Sequence, residues 1–242
     1  MTPPRIVLAS DEVHLWFVSL QGSAEQRAIA HALLDEAEQT QAARFHFDRD
    51  RFRFIFAHAA LRRVLARVLE VAPPSLRFTK GPAGKPSIAS ATPAPLHFNL
   101  SHAHEYALIG LSRDYPIGVD LEWSGRDVEY NDIVSRFFST IEKQAWAALA
   151  PSEFPTAFFR AWTRKEAYVK ARGAGLGHAS ENYSVDFSPA GAGGLIADEL
   201  DPTAPDRFQL HPIVAPDGYN AAWSAEVTRA KAMRVTLHKT LI

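Results

Sequence analysis

The 242-residue chain contains no cysteine. Disulfides, thiolate metal ligands and a cysteine nucleophile are therefore excluded, and the absence is typical of a cytoplasmic protein. No apolar run reaches the ~20 residues that a helix needs to cross a bilayer. The opening Met1–Leu8 also lacks the long apolar stretch of a secretory signal. We therefore expect a cytoplasmic protein with no membrane span.

The chain has no large excess of either charge, because 26 lysines and arginines nearly balance 27 aspartates and glutamates to give a net charge of −1. The balance is uneven, however: from Arg44 to Lys85, ten basic residues stand against three acidic ones. Any single arginine here is compatible with a solvated helix face, whereas the local excess suggests a polyanionic partner, either nucleic acid or a small phosphorylated molecule. The balanced whole-chain charge disfavours nucleic acid, which usually needs a broader basic surface.

Residue patterning predicts a similar set of elements in each half. The first half should contain a strand, a polar helix, an amphipathic helix and two strands, at about 13–20, 24–43, 50–69, 96–100 and 106–111. The second half should contain a strand, two helices and two strands, at about 117–123, 139–149, 156–172, 207–213 and 220–227. Loops are expected at 81–86 and 188–204. The pattern predicts an α+β fold with two lobes, residues 1–112 and 113–242.

The strand Ile117–Trp123 carries two acidic residues. Side chains alternate along a strand, so Asp120 and Glu122 should share the face opposite Ile117, Val119 and Leu121. Neighbouring carboxylates repel unless a cation joins them, and an oxygen-only pair suits a hard ion such as Mg²⁺. By itself, the pair is more simply interpreted as solvent-facing acids on an edge strand.

A predicted helix, about 156–172, adds Glu166 and Lys170, which lie one turn apart on one face. The default interpretation is a surface ion pair. Aromatic residues occur all round this helix, however, as on a helix that is buried at an interface. We therefore predict that Glu166 joins the two strand acids as a third oxygen ligand, with Lys170 neutralising phosphate nearby.

The end of another strand, Phe98–His102, offers a serine hydroxyl, a backbone N–H and an imidazole at one point. Such a group can hold a phosphate, although a lone histidine at a strand end is often structural. His104 is a weaker candidate for the same role. A serine hydrolase is not indicated, because the chain has no G-x-S-x-G sequence.

Taken in order, these segments resemble the Sfp-type 4′-phosphopantetheinyl transferases. The matching segments are Gly84–Pro86, Phe98–His102, Ile117–Glu122, Arg136–Glu142, Trp162–Lys170 and Gly173–Leu176, and Arg44–Asp50 is also similar. The similarity covers about Arg44 to Phe187. It is carried by the joint order and spacing of the segments, since no single motif is decisive.

The resemblance implies two pseudo-symmetric α+β lobes with coenzyme A (CoA) in the cleft between them. Two lobes in one chain would make a monomer sufficient. The resemblance also implies Mg²⁺ held by Asp120, Glu122 and Glu166, and phosphates held by Ser101, His102 and Lys170. Lys80 and Lys85 would contact the adenosine 3′-phosphate. One departure is that Glu38 and Gln41 stand where the family often has basic residues, so Arg44, Arg49 or Arg53 would take over that contact.

The implied reaction is attack by a carrier-protein serine on the phosphorus of CoA that bears pantetheine, with 3′,5′-ADP leaving. Glu166, Lys170 and His102 would be the catalytic residues. The base is either Glu166 or a metal-bound hydroxide that Glu166 orients. Three alternatives stay open: another Mg²⁺-dependent phosphoester enzyme, a CoA-binding or carrier-binding regulator without catalysis, and an RNA-binding module.

Overall fold

A computed structural model describes residues 6–81, 84–89, 95–173, 175, 179–189, 191 and 193–238. The chain divides into two compact units. The first contains the residues up to Gly81, Pro86–Asp114 and the segment from Met233 onward, and the second contains Lys85 and Tyr115–Ala232. In the described part of the chain, no helix is both long and apolar enough to span a membrane.

The first unit is built on a four-stranded sheet and a long helix. Its strands are β1 (Glu12–Ser19), β2 (Phe78–Lys80), β3 (Pro86–Ile88), β4 (His97–Ala103), β5 (Tyr106–Ser112) and β11 (Arg234–His238), and its helices are α1 (Ala24–Ala32), α2 (Glu36–Ala43) and α3 (Asp48–Leu69). The main sheet has the order β11-β1-β5-β4, in which only the β11–β1 pair is parallel. Strands β2 and β3 form a separate hairpin.

The second unit has a three-stranded sheet and a second long helix. Its strands are β6 (Ile117–Trp123), β7 (Tyr183–Val185), β8 (Leu195–Asp198), β9 (Gln209–Ile213) and β10 (Tyr219–Ala225), and its helices are α4 (Tyr130–Phe137), α5 (Thr140–Ala147), α6 (Phe154–Arg172) and α7 (Ala204–Arg207). The sheet has the antiparallel order β6-β10-β9, and β7 pairs with β8.

Both units follow the same order of elements along the chain. Each begins with a strand, continues with two short helices and one long helix, and then forms a small two-stranded pair and a final hairpin. In each sheet, the last strand of that hairpin lies beside the first strand of the unit. The predicted α+β class is confirmed, and this shared connectivity is the basis of its two similar lobes.

A buried ion pair of the same design anchors the long helix of each unit. The capping-box residue Glu38 of α2 accepts from Arg62 Nε of α3 at 2.5 Å. In the second unit, the capping-box residue Glu142 of α5 accepts from Lys165 Nζ of α6 at 2.6 Å. Glu38 therefore has a structural role, which is a physical reason for an acidic residue at this position.

Most predicted elements are confirmed, and three predictions are wrong. The polar helix expected at about 24–43 is two helices, because Asp35 starts α2 with its own capping box to Glu38. The loop expected at 188–204 contains strand β8, whose Leu195 is buried. The loop expected at 81–86 ends with Pro86 already in β3, and Pro82 and Ala83 lie outside the described residues.

Candidate active site

Strand β6 holds the two predicted acids on one face. Its core-facing residues Ile117, Val119 and Leu121 are almost completely buried. Asp120 is only 3% exposed, so the opposite face is not open to solvent either. The interpretation of this pair as solvent-facing acids on an edge strand is therefore wrong for Asp120.

Helix α6 covers the acidic face of β6 at unusually short range. A Cβ atom added at Gly118 would lie 2.1 Å from the carbonyl oxygen of Ala167 and 2.3 Å from the amide nitrogen of Ala171. Only glycine allows this approach, and the two alanines keep the helix surface flat at the contact. Because Gly118, Asp120 and Glu122 share one face, the contact at Gly118 brings α6 towards both acids.

Lys170 of α6 connects the helix to Asp120. Its Nζ donates to Asp120 Oδ1 at 2.5 Å. Glu166 lies one turn earlier on the same helix. Since Lys170 reaches across to β6, the pair Glu166 and Lys170 belongs to a cluster of charges on two elements and is not simply an ion pair along the helix surface.

The three carboxyl groups influence one another electrostatically. Burial and the neighbouring charge of Asp120 raise the pKa of Glu122 to about 7. Burial and Asp120 also raise the pKa of Glu166. Burial opposes the charge of Lys170, but the three acids, Asp120 foremost, raise the pKa of Lys170 above its ordinary value. Holding these carboxylates together therefore costs free energy that a bound cation would offset.

Within the described residues, no group of three His, Asp or Glu side chains is arranged closely enough to hold a metal ion. The chemistry of the donors nevertheless fits Mg²⁺, because all three side chains are oxygen donors whose mutual repulsion a divalent cation relieves. The positions of the described side chains thus do not form a metal site, whereas the type of donor suits one. The metal assignment remains a prediction.

Arg126 is a member of this cluster that the sequence analysis missed. Its Nη2 lies 3.3 Å from Glu122 Oε2, and its guanidinium lies 5.3 Å from the centre of the Phe159 ring. Arg126 follows Glu122 by four residues, but the two residues do not share a helix, because Arg126 lies just after the turn that ends β6. The four-residue spacing therefore predicts the contact between Arg126 and Glu122 only once the turn after β6 is known.

Lys85 lies in the second unit and contacts backbone, not side chains. Its Nζ donates to the carbonyl oxygens of Ile117 at 2.9 Å, Lys170 at 2.6 Å and Ala171 at 3.3 Å. Burial lowers the pKa of Lys85 to about 8, so the ammonium form still predominates at neutral pH. Its predicted contact with a 3′-phosphate stays a prediction.

The remaining predicted phosphate contacts lie in the first unit. On β4, Ser101 is buried and His102 is exposed. Lys80 is exposed at the end of β2. Near the start of α3, Arg49 Nε and Arg53 Nη1 both lie near Asp50 Oδ1, at 3.3 and 3.6 Å. Their roles remain predictions, and Ala174 and Leu176 of the last motif lie outside the described residues.

Comparison with known proteins gives matches along almost the whole chain. The model of the 4′-phosphopantetheinyl transferase superfamily matches residues 116–224, and that of the 4′-phosphopantetheinyl transferase N-terminal domain matches residues 19–113. The first match contains Asp120, Glu122, Glu166 and Lys170. The second contains Arg49, Arg53, Lys80, Ser101 and His102.

Three similar relatives carry the same name. The 4′-phosphopantetheinyl transferase HetI of Nostoc sp. is 34% identical over 211 residues, which are 87% of this chain and 83% of the relative. A putative 4′-phosphopantetheinyl transferase of Synechocystis sp. is 38% identical over 60% of this chain and 59% of its own length. The 4′-phosphopantetheinyl transferase Sfp of Bacillus subtilis is 27% identical over 67% of this chain and 70% of its own length. The chain therefore belongs to the 4′-phosphopantetheinyl transferase superfamily.

Proposed function

We propose that this protein transfers the 4′-phosphopantetheine group of CoA to a serine of an apo carrier protein. The observation that carries the proposal is the cluster of Asp120, Glu122, Glu166 and Lys170 on β6 and α6, within the region that matches the superfamily. A diphosphate brings several negative charges, and a site that combines a cation with carboxylates suited to Mg²⁺ can hold it.

The reaction breaks the phosphoanhydride bond of CoA and forms a phosphodiester with the carrier serine. The serine oxygen bonds to the phosphorus atom that bears pantetheine, and the bond from that phosphorus to the bridging oxygen breaks. The products are the modified serine and 3′,5′-ADP, and the hydroxyl proton passes to a base. Positioning and charge neutralisation provide most of the acceleration in reactions of this class.

Asp120, Glu122 and Glu166 would hold the Mg²⁺ ion. When bound, this ion supplies Lewis-acid stabilisation of charge on the phosphate oxygens. Lys170, whose ammonium already lies against Asp120, would neutralise the same phosphates. Glu166 would accept the serine proton at its side-chain carboxylate.

Residues of the first unit would bind the rest of CoA. Ser101 would hold the phosphates through its hydroxyl, and His102 would stabilise the leaving phosphate through its imidazole. The basic segment would contact the adenosine 3′-phosphate through Arg49, Arg53 and Lys80, since guanidinium and ammonium groups bind phosphate with charge-assisted hydrogen bonds. The exposure of Arg49, whose side chain is 71% accessible, leaves it open to such a ligand.

Three broader expectations also stay predictions. We expect a monomer in the cytoplasm that modifies acyl or peptidyl carrier proteins of fatty-acid, polyketide or nonribosomal-peptide synthesis. Such carrier proteins are usually acidic, which suits the basic segment between Arg44 and Lys85. Light scattering on the purified chain would measure its oligomeric state.

The proposal is tested by the intact mass of several apo carrier proteins after incubation with this protein, CoA and Mg²⁺. The expected result is a carrier heavier by one phosphopantetheine, and no change when the acceptor serine is replaced by alanine. An unmodified carrier with cleaved CoA would indicate a different phosphoester enzyme. Unmodified carrier and intact CoA, across all carriers tested, would indicate a binding protein without catalysis.

A further inference from the structure

Lys85 has an unusual environment for a lysine in a surface loop. Its side chain is half-buried, and its ammonium group donates to three backbone carbonyl oxygens, those of Ile117, Lys170 and Ala171. An ammonium group has three N–H donors. The three carbonyls therefore take up the full hydrogen-bonding capacity of this group.

The three acceptors belong to the two elements that carry the candidate active site. Ile117 is the first residue of β6 and precedes Asp120 by three positions. Lys170 and Ala171 lie in the last turn of α6, and Gly173 caps this helix in a left-handed conformation (φ 66°). The carbonyls of a last helical turn lack partners within the helix and carry partial negative charge, so a cation stabilises them.

The contact to Lys170 is the shortest of the three and links Lys85 to a predicted catalytic residue. Lys85 Nζ lies 2.6 Å from the carbonyl oxygen of Lys170, whose own side chain reaches Asp120 at 2.5 Å. The backbone of Lys170 is thus held by one hydrogen bond while its ammonium is held by another. Displacement of this turn would move the Lys170 side chain relative to Asp120.

Because Lys85 joins the last turn of α6 to the first residue of β6, we propose that it is a positioning residue for the transfer reaction. It acts through Lys170, by fixing the backbone from which that side chain reaches Asp120, and not through contact with a CoA phosphate. This inference rests on the proposed function. It assigns to Lys85 a role that differs from the predicted 3′-phosphate contact, and the two roles have different kinetic consequences.

The first test compares Lys85→Met with the parent protein, using CoA and dephospho-CoA as donors. A misplaced catalytic side chain should lower kcat for both donors by on the order of tenfold or more. The ratio of kcat/KM for CoA to that for dephospho-CoA should stay within about twofold of the parent value, because dephospho-CoA lacks only the 3′-phosphate. A ratio that collapses towards one, with kcat for CoA retained, would overturn the proposal and restore the phosphate contact.

The second test asks whether Lys85 acts through Lys170. In the Lys170→Ala background, Lys85→Met should lower kcat by no more than about twofold further, because the side chain that it positions is already gone. Lys85→Met should still lower the melting temperature in that background, because the backbone carbonyls that Lys85 contacts remain in place. Independent, multiplicative losses of kcat in the double variant would contradict the proposal.

The absence of cysteine allows a rescue that also controls for folding. Lys85→Cys contains a single thiol, so treatment with 2-bromoethylamine places an ammonium group at nearly the lysine's reach at this position alone. The modified variant should regain most of the parent kcat, whereas the untreated variant and a variant treated with iodoacetamide should not. Failure of the ammonium to restore kcat in a folded variant would overturn the proposal.

If the parent protein transfers no phosphopantetheine, the proposed function fails instead.

Discussion

At the scale of single residues, the site is defined by a charge balance around Asp120. Burial and the charge of Asp120 raise the pKa values of both glutamates, and Asp120 also accepts a hydrogen bond from the ammonium of Lys170. The sequence predicted that Asp120 and Glu122 share a face, because alternation is a local property of a strand. It did not predict the carbonyl contacts of Lys85, because a backbone acceptor has no sequence signature.

Asp120→Ala should reduce phosphopantetheine transfer by on the order of a thousandfold, because the central carboxylate of the cluster is lost and Lys170 has no partner there. The rate would be measured by intact mass at saturating Mg²⁺. Asp217→Ala, at an exposed turn of the same unit, is the matched control and should keep the parent rate. Near-parent turnover of Asp120→Ala would contradict the assignment.

Lys170→Ala should lower kcat by on the order of a hundredfold or more, because the charge that would neutralise the phosphates is removed. Lys143→Ala on α5 removes another lysine of the same unit and should leave kcat unchanged. Steady-state kinetics with CoA and one apo carrier would measure both. If Lys170→Ala keeps the parent kcat, as Lys143→Ala should, then Lys170 is only a structural partner of Asp120.

At the scale of elements, the close approach of α6 to β6 creates the site. The signal for it was present in the sequence, because a glycine within a strand otherwise rich in branched residues often marks close backbone contact. The division of the polar helix also had a visible signal, since Asp35 and Glu38 have the same capping-box spacing as Ser139 and Glu142. The pairing of Glu142 with Lys165 had none, because it depends on tertiary packing.

Gly118→Ala should destabilise the protein by about 3 kcal/mol or more, because the new methyl group meets backbone atoms of α6 that cannot rotate away. Gly84→Ala is the control: at φ +81° it has open space around the Cβ position, so it should cost only the ~1–2 kcal/mol of a left-handed residue. Urea unfolding would measure both free energies. Equal costs would show that the packing of β6 on α6 is looser than described.

Lys165→Met should destabilise the protein by about 3–5 kcal/mol, because it leaves the buried Glu142 carboxylate without its cation. Combining it with Glu142→Gln should recover part of this loss, since the neutral amide removes the unpaired buried charge, although its single oxygen keeps only one of the two acceptors that the backbone N–H groups of Ser139 and Val185 use. Unfolding of the single and double variants would be compared. A cost below about 1 kcal/mol for Lys165→Met would contradict the anchoring role.

At the scale of the whole molecule, the chain contains two units with one connectivity, and the ion pairs Glu38–Arg62 and Glu142–Lys165 occupy equivalent places in them. The alternation of strands and helices predicted this architecture, although the similarity between the two halves of the sequence is too faint to identify as a repeat. Strand β11 was not predicted, because its pairing partner β1 lies at the other end of the chain.

The central claim is that Asp120, Glu122 and Glu166 hold one divalent cation together with the diphosphate of CoA. Anomalous diffraction from crystals grown with CoA and Mn²⁺, which prefers the same oxygen ligands as Mg²⁺, tests it most directly. The predicted result is one strong peak within about 2.3 Å of a carboxylate oxygen from each of the three residues and of a CoA phosphate oxygen. A peak that Glu166 does not contact, or a CoA complex with no peak at β6, would contradict the account.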